Sequence, residues 1–200
     1  VFNRRNYPNL VALFEHLGVA TEDSNMSFAV SLDDGRFEYA SSYSGFLAQR
    51  SNMVRPAFLR MTRDILRFNR QTTEMAQSEG ALEAISLGDF LQQHAYSGEF
   101  RDWYLLPMAG CIWSCPTEAM LAYPLTTFVR FCHNHGLIQV NHRPQWYTVR
   151  GGAKHYVAKI LSGIDQTHLN TPVRRISRHT SGVDVHTDAG RQSFDHLVLA

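Results

Sequence analysis

The three cysteines and four of the ten histidines, Cys111, Cys115, Cys132, His133, His135, His142 and His155, invite a metal reading. Zinc sites draw on closely spaced pairs of thiolate and imidazole donors. A C-x3-C pair with a distant Cys-His-Asn-His is no such framework, and Cys132 falls on the apolar side of a helical pattern. The expectation is therefore reduced, buried thiols and no metal. A second set is basic: Arg60, Arg63, Arg67 and Arg70 recur at helical spacing. Such a stripe can lie on anionic lipid or form a solvated face, and the solvated face is the plainer reading. Gly151-Gly152 ahead of a helical pattern could cradle a phosphate, but a tight turn needing no side chain explains it more simply. Tyr96, Trp103, Tyr104, Trp113 and Tyr123, with Met108 and Met120, could line an apolar tunnel, although most of them suit a helical core. No Ser-His-Asp set, paired carboxylates or phosphate loop stands out.

Most of these residues fall on predicted helices. Pro8 opens the first, with Leu10, Leu13, Phe14 and Leu17 on one face and Gly18 at its end. A hairpin follows: Met26, Phe28, Val30 and Leu32 alternate, Asp33-Asp34-Gly35 turns the chain, and Phe37 and Tyr39 resume. Residues 55–78 predict a long helix. Its apolar stripe, Phe58, Met61, Ile65 and Phe68, lies about 200° from the arginine stripe. Ser86-Leu87-Gly88-Asp89 reads as a capping box opening a helix to about His94. Residues 98–121 predict shorter helices broken at Pro107 and Pro116. Another helix starts at Pro124, buries Leu125, Phe128, Val129 and Cys132, and stops at Gly136.

The grammar changes near residue 144. A strand at 145–149 runs into Gly151-Gly152, a helix carries Ala153, Tyr156, Val157 and Ile160 on one face, and a meander starts at Val173. Its turns fall at Ser181-Gly182 and Asp188-Ala189-Gly190. The continuous apolar run 196–200 reads as a buried strand. Residues 1–144 thus form one predicted domain and 145–200 a second, of α/β character.

Composition narrows the classes. Hydrophobic residues make up 44% of the 200 and aromatics 12%, which suits a packed core, and a net charge of +1 supplies no field that selects nucleic acid. Of 19 basic residues only Lys154 and Lys159 are lysine, so the cations are forks suited to carboxylate or phosphate. There is no signal peptide or membrane-spanning run, and a cytoplasmic location is expected. A start without methionine and a finish on an apolar strand suggest a piece of a longer protein.

The order TVRGGAKHYVAKI, then TPVRRISRHTSGVDVHTDAGRQSFDHLVLA, resembles the middle of flavin-containing amine oxidases and phytoene-desaturase-like enzymes. There a double-glycine turn precedes a helix, a meander with an Asp-Gly-like turn follows, and an apolar strand closes the run. Asp188-Ala189-Gly190 departs slightly from that turn. VFNRRNYPNLVALFEHLGV, MSFAVS and WSCPTEAMLAYPLTTFVRFCHNHGL look closer still to one bacterial subgroup of predicted NAD/FAD-binding, amine-oxidase-like proteins. The resemblance runs through nearly the whole chain in order.

It implies an internal segment of an FAD-dependent oxidoreductase that oxidises an amine or lipid-like molecule by hydride transfer to flavin. The fold implied is α+β: a helical substrate-side region with a hairpin, then an incomplete slice of the FAD domain. The glycine-rich G-x-G-x-x-G fingerprint that grips the pyrophosphate is absent here, so the segment alone is expected to be inactive and to retain no FAD. The lysine found near the flavin in many relatives belongs to a later part of the fold, and neither Lys154 nor Lys159 takes its role. By resemblance, Val173 offers its backbone to the adenine, and Val1, Phe2 and Asn3 pass the isoalloxazine ring. Catalytic residues, substrate and electron acceptor stay open. The competing class is a non-catalytic helical module that binds a membrane surface or a protein through Arg60, Arg63, Arg67 and Arg70.

Overall fold

The computed structural model describes residues 1–77, 85–139 and 143–199, and the chain divides into two compact units, Val1–Gly152 and Ala153–Ala200. The architecture is mixed α+β, with small antiparallel sheets among helices.

In the first unit, β1 (Phe2–Asn3) and β2 (Thr21–Ser24) flank β5 (Trp146–Val149) in one antiparallel sheet. Phe2 faces Tyr147, Asn3 faces Trp146, and Thr21 faces Val149. The strand expected at 145–149 is present, but it pairs antiparallel inside the first unit instead of opening an α/β layer in the second. Helix α1 (Pro8–His16) starts on its proline, buries Phe14 edge-on to Phe2, and ends before Gly18 at φ +59°. The hairpin β3 (Ala29–Leu32) and β4 (Phe37–Ala40) turns through Asp33, Asp34 and Gly35, all at positive φ. Its inward side chains are Val30, Phe37 and Tyr39.

A short α2 (Tyr43–Phe46) and a 3₁₀ turn (Arg50–Val54) lead into α3 (Pro56–Gln77). The predicted apolar stripe is the buried one: Phe58, Met61, Ile65 and Phe68 are all below 10% exposed. Phe68 sits at the centre of an aromatic cluster with Phe90, Tyr96, Phe100 and Phe128, ring centroids 5.2–6.3 Å away. Each such ring contributes roughly 1.5–3 kcal/mol by leaving water. Helix α4 (Leu87–Gln93) opens with the expected box: Ser86 Oγ accepts from the Asp89 amide, and the Asp89 carboxylate accepts from the Ser86 amide.

One expectation fails at Pro107. Helix α5 (Gly98–Phe100) continues through a π turn (Arg101–Leu105) into α6 (Leu106–Trp113) with no break. The π turn bonds the Leu106 amide to the Arg101 carbonyl and seats Pro107 in the first turn of α6, where its missing N–H is tolerated. The real break follows at Ser114, in the left-handed region at φ 50°, before Pro116 and a 3₁₀ segment (Thr117–Ala122). Helix α7 (Leu125–Asn134) buries Leu125, Phe128, Val129 and Cys132 completely, and Gly136 at φ +68° ends it.

The second unit holds α8 (Lys154–Leu161) and a meander of β6 (Arg175–His179), β7 (Gly182–Thr187) and β8 (Gly190–Phe194), order β6-β7-β8. Val183, Asp184 and Val185 of the central strand are its buried residues. The strand expected at the apolar terminus is not there. Residues 196–199 join no ladder among the described residues, and Val198 is 88% exposed. Apolar character names a preference for burial; a strand also needs a neighbouring backbone with free hydrogen-bonding groups.

Candidate functional site

An open cavity of about 1010 Å³ lies in the first unit. Three segments wall it: the β2–β3 connection from Asp23 to Phe28, the π turn and α6 through Tyr104, Met108 and Ile112, and the chain from His135 to Leu137 and from Arg143 to Trp146. The lining is largely apolar, with Asp23 and Arg143 supplying opposite charges. Such a mixture, large flat groups with few polar ones, is what small-molecule sites share.

Tyr104 is the most deeply set polar group in that wall. It is 8% exposed and packs against Phe28 and Phe100. Burial pushes its phenol up to about 12, despite the opposing charge of Arg143, so it stands as a neutral donor at neutral pH. His135 is fixed as well. Its ring stacks on Phe131 and Trp146, and Nδ1 lies 2.9 Å from the Phe131 carbonyl. A carbonyl only accepts, so Nδ1 carries the proton and Nε2 accepts from the Tyr7 hydroxyl at 3.3 Å.

Strand β1 borders this cavity. Val1 lines it and is 66% exposed, whereas Phe2 and Asn3 are buried. Asn3 Oδ1 accepts from the Asn6 amide at 2.8 Å, but Asn3 Nδ2 is enclosed with no partner. An enclosed amide N–H with no acceptor among the described residues costs roughly 1–3 kcal/mol.

In the second unit Val173 precedes β6 outside any strand and is 54% exposed. Its successor is tightly held: the Arg174 amide donates to the His186 carbonyl, and the Arg174 fork grips the Asp188 carboxylate at 2.9 and 2.7 Å. That bond holds the Asp188 carboxyl below its ordinary range. The Asp188-Ala189-Gly190 turn therefore pins the backbone next to Val173. Among the described residues no hydrogen bond between backbone groups uses the Val173 N–H or carbonyl.

The remaining candidates separate. Among the described residues no three His, Cys, Asp or Glu side chains gather as a metal set, and His142 lies outside those residues. Cys132 is fully enclosed and burial pushes its thiol up to about 12, while Cys111 is exposed on the cavity wall. Gly151 and Gly152 turn at φ +74° and +97°, and a Cβ on Gly152 would meet nothing within 4 Å, so backbone conformation and no close approach selects glycine there. Of the aromatic and methionine set, Tyr104 and Met108 reach the cavity; Tyr96, Trp103, Trp113, Tyr123 and Met120 pack in or against the core.

The arginine stripe is divided. Arg60 pairs with Glu99, and Arg67 donates to the His94 carbonyl while lying 3.8 Å over the Tyr96 ring. Arg63 and Arg70 stay exposed. Sequence reasoning missed Phe28, His135 and Trp146 as wall residues.

Against known proteins, residues 1–200 match the family of flavin-containing amine oxidoreductases. No curated protein matches closely enough to add a relative. Solved structures with the same fold include putrescine oxidase bound to putrescine, at 18% identity and TM-score 0.66, covering 96% of this chain. A triple mutant of putrescine oxidase redesigned at its cofactor site matches at 19% identity and TM-score 0.66, also over 96%. This chain spans 44% of the length of each.

Proposed function

Because the chain belongs to the flavin-containing amine oxidoreductases, we propose that it forms the substrate-side wall and part of the cofactor seat of an FAD-dependent oxidase acting on an amine or lipid-like molecule. When bound, FAD supplies the two-electron sink into which a hydride from the substrate passes. The observation that carries the reading lies at β1: Asn3, whose side-chain amide has no partner among the described residues, stands in the strand two positions along from Val1, which lines the cavity just before the strand begins.

The chain's own residues have definable tasks. Asn3 Nδ2 would donate to the flavin, and the Val173 backbone would meet the adenine edge. Phe28, Met108 and Trp146 would exclude water and orient the alkyl part of a substrate. Tyr104 would donate a hydrogen bond into the cavity. Asp23 would pair with an ammonium and Arg143 with a carboxylate, which is how amine and acyl substrates would be told apart. The segment 1–200 alone would be inactive, since it lacks the glycine-rich cradle for the pyrophosphate.

The test is anaerobic mixing of the intact protein with panels of amines and of long-chain acyl compounds. Loss of the flavin's visible absorbance with a member of either panel is expected, faster with wild type than with Asn3→Ala. A flavin that no member of either panel reduces would overturn the proposal.

A further inference from the structure

The outward face of α3 carries a pattern that the cavity does not use. Leu59 is 53% exposed and Leu66 56%, large values for leucines seven residues apart on one helix. At 100° per residue, Arg63, Leu66 and Arg70 all project within about 40° of Leu59. The face therefore reads Leu-Arg-Leu-Arg along its length, directly opposite the buried Phe68 side. Val54, 81% exposed, leads into its first turn.

Its charge is one-sided. From Pro56 to Thr73 the sole carboxylate on the helix is Asp64, which is fully buried and accepts from the Ser97 amide at 2.9 Å. Arg63 touches Asp64 at 3.4 Å yet keeps 67% of its side chain exposed. Glu74 stands one turn beyond Arg70, past the end of the leucine pair. The regular Arg60–Arg63–Arg67–Arg70 stripe is thus not the surface: Arg60 and Arg67 bond within the protein, and the outward set is Arg63 and Arg70 with Leu59 and Leu66 beside them.

We infer that this face is a docking surface for an anionic lipid bilayer, with Leu59 and Leu66 entering the headgroup boundary and Arg63 and Arg70 pairing with phosphates. An aqueous protein surface gains nothing from exposing two neighbouring leucines, and the exposed arginines beside them outnumber the carboxylates on the same stretch of the helix, of which Asp64 is buried. A helix lying in the interface meets both demands at once: arginine stems pack along the leucines while their heads reach phosphate. The inference does not depend on the flavin reading.

Sedimentation of the intact protein with vesicles tests it, comparing phosphatidylcholine alone with phosphatidylcholine containing phosphatidylglycerol. Binding is expected only to the anionic vesicles and should weaken as salt rises. Arg63→Gln with Arg70→Gln should lower affinity roughly thirty-fold, the Arg63→Lys, Arg70→Lys pair should largely keep it, and Leu59→Ser with Leu66→Ser should lower it while melting stays near wild type. Equal partition to both vesicle types, or unchanged binding by the glutamine pair, would overturn the inference. So would a loss of self-association in the serine variant without any vesicle binding, since the face would then join copies of the protein.

Discussion

The Tyr39 hydroxyl donates to the Trp103 carbonyl at 2.6 Å, and Trp103 stands four residues before Pro107. A proline has no N–H to offer that carbonyl, so the hairpin supplies across space the donor that the helix lacks. Burial, with a smaller push from Tyr104, raises the Tyr39 phenol well above its ordinary range, which favours the neutral, donating form. This single bond ties β4 to the helical run that forms the cavity wall.

Tyr39→Phe is expected to cost about 1–3 kcal/mol, the penalty for leaving a buried carbonyl unserved. In a Pro107→Ala background the new amide at 107 can serve that carbonyl, and the cost of Tyr39→Phe should shrink. Urea denaturation of the four proteins of the cycle measures the coupling. Equal costs in both backgrounds would show that the bond and the proline are unrelated.

Acid should loosen the contact between α3 and α5. Burial raises the Asp64 carboxyl, but the Ser97 hydrogen bonds and the charges of Arg67 and Arg63 together outweigh it, and the net shift is downward. A depressed carboxyl contributes stability that is present above roughly pH 4, the unfolded aspartate value, and is lost as pH falls through the folded one. Asp64→Asn should therefore be less stable than wild type at neutral pH by about 1–3 kcal/mol, with a flatter acid limb. Denaturation midpoints taken down the pH scale decide; parallel acid limbs would contradict it.

How much of this could be read beforehand depends on the range of the interactions. Helix α3 and helix α7 announce themselves because Phe58, Met61, Ile65 and Phe68, and likewise Leu125, Phe128, Val129 and Cys132, repeat at the helical period. The α4 start is written in Ser86 and Asp89 alone. Strand β2 is Thr-Glu-Asp-Ser, with no alternation to betray it, and its partner lies more than a hundred residues away. The continuous helix through Pro107 needed a π turn that no local pattern signals. The cavity combines residues near 23–28, 104–112 and 135–146, so its existence belongs to the fold and to no motif.

Thiol chemistry should sort the cysteines. Cys132, enclosed on the inner face of α7 with its thiol raised to about 12 by burial, should resist an aromatic disulfide reagent in the native protein. Exposed Cys111 should react promptly. If substrate fills the cavity, it should also slow Cys111, which lines the wall. Fast labelling of Cys132 before unfolding would contradict the packing of α7.

The Arg174–Asp188 fork predicts a separation of stability from cofactor affinity. Both side chains are mostly exposed, so Arg174→Gln should leave the melting free energy close to wild type. Because the fork pins the backbone beside Val173, the same variant should release FAD more readily from the intact protein. Equilibrium dialysis with FAD measures this, and unchanged affinity would remove Val173 from the cofactor seat.

The account rests most directly on the cofactor content of the intact protein. After gel filtration it should carry about one FAD per chain, visible as a yellow protein, and Asn3→Ala should hold that flavin less tightly. An intact protein that emerges colourless and takes up no FAD on incubation would contradict the account at its base.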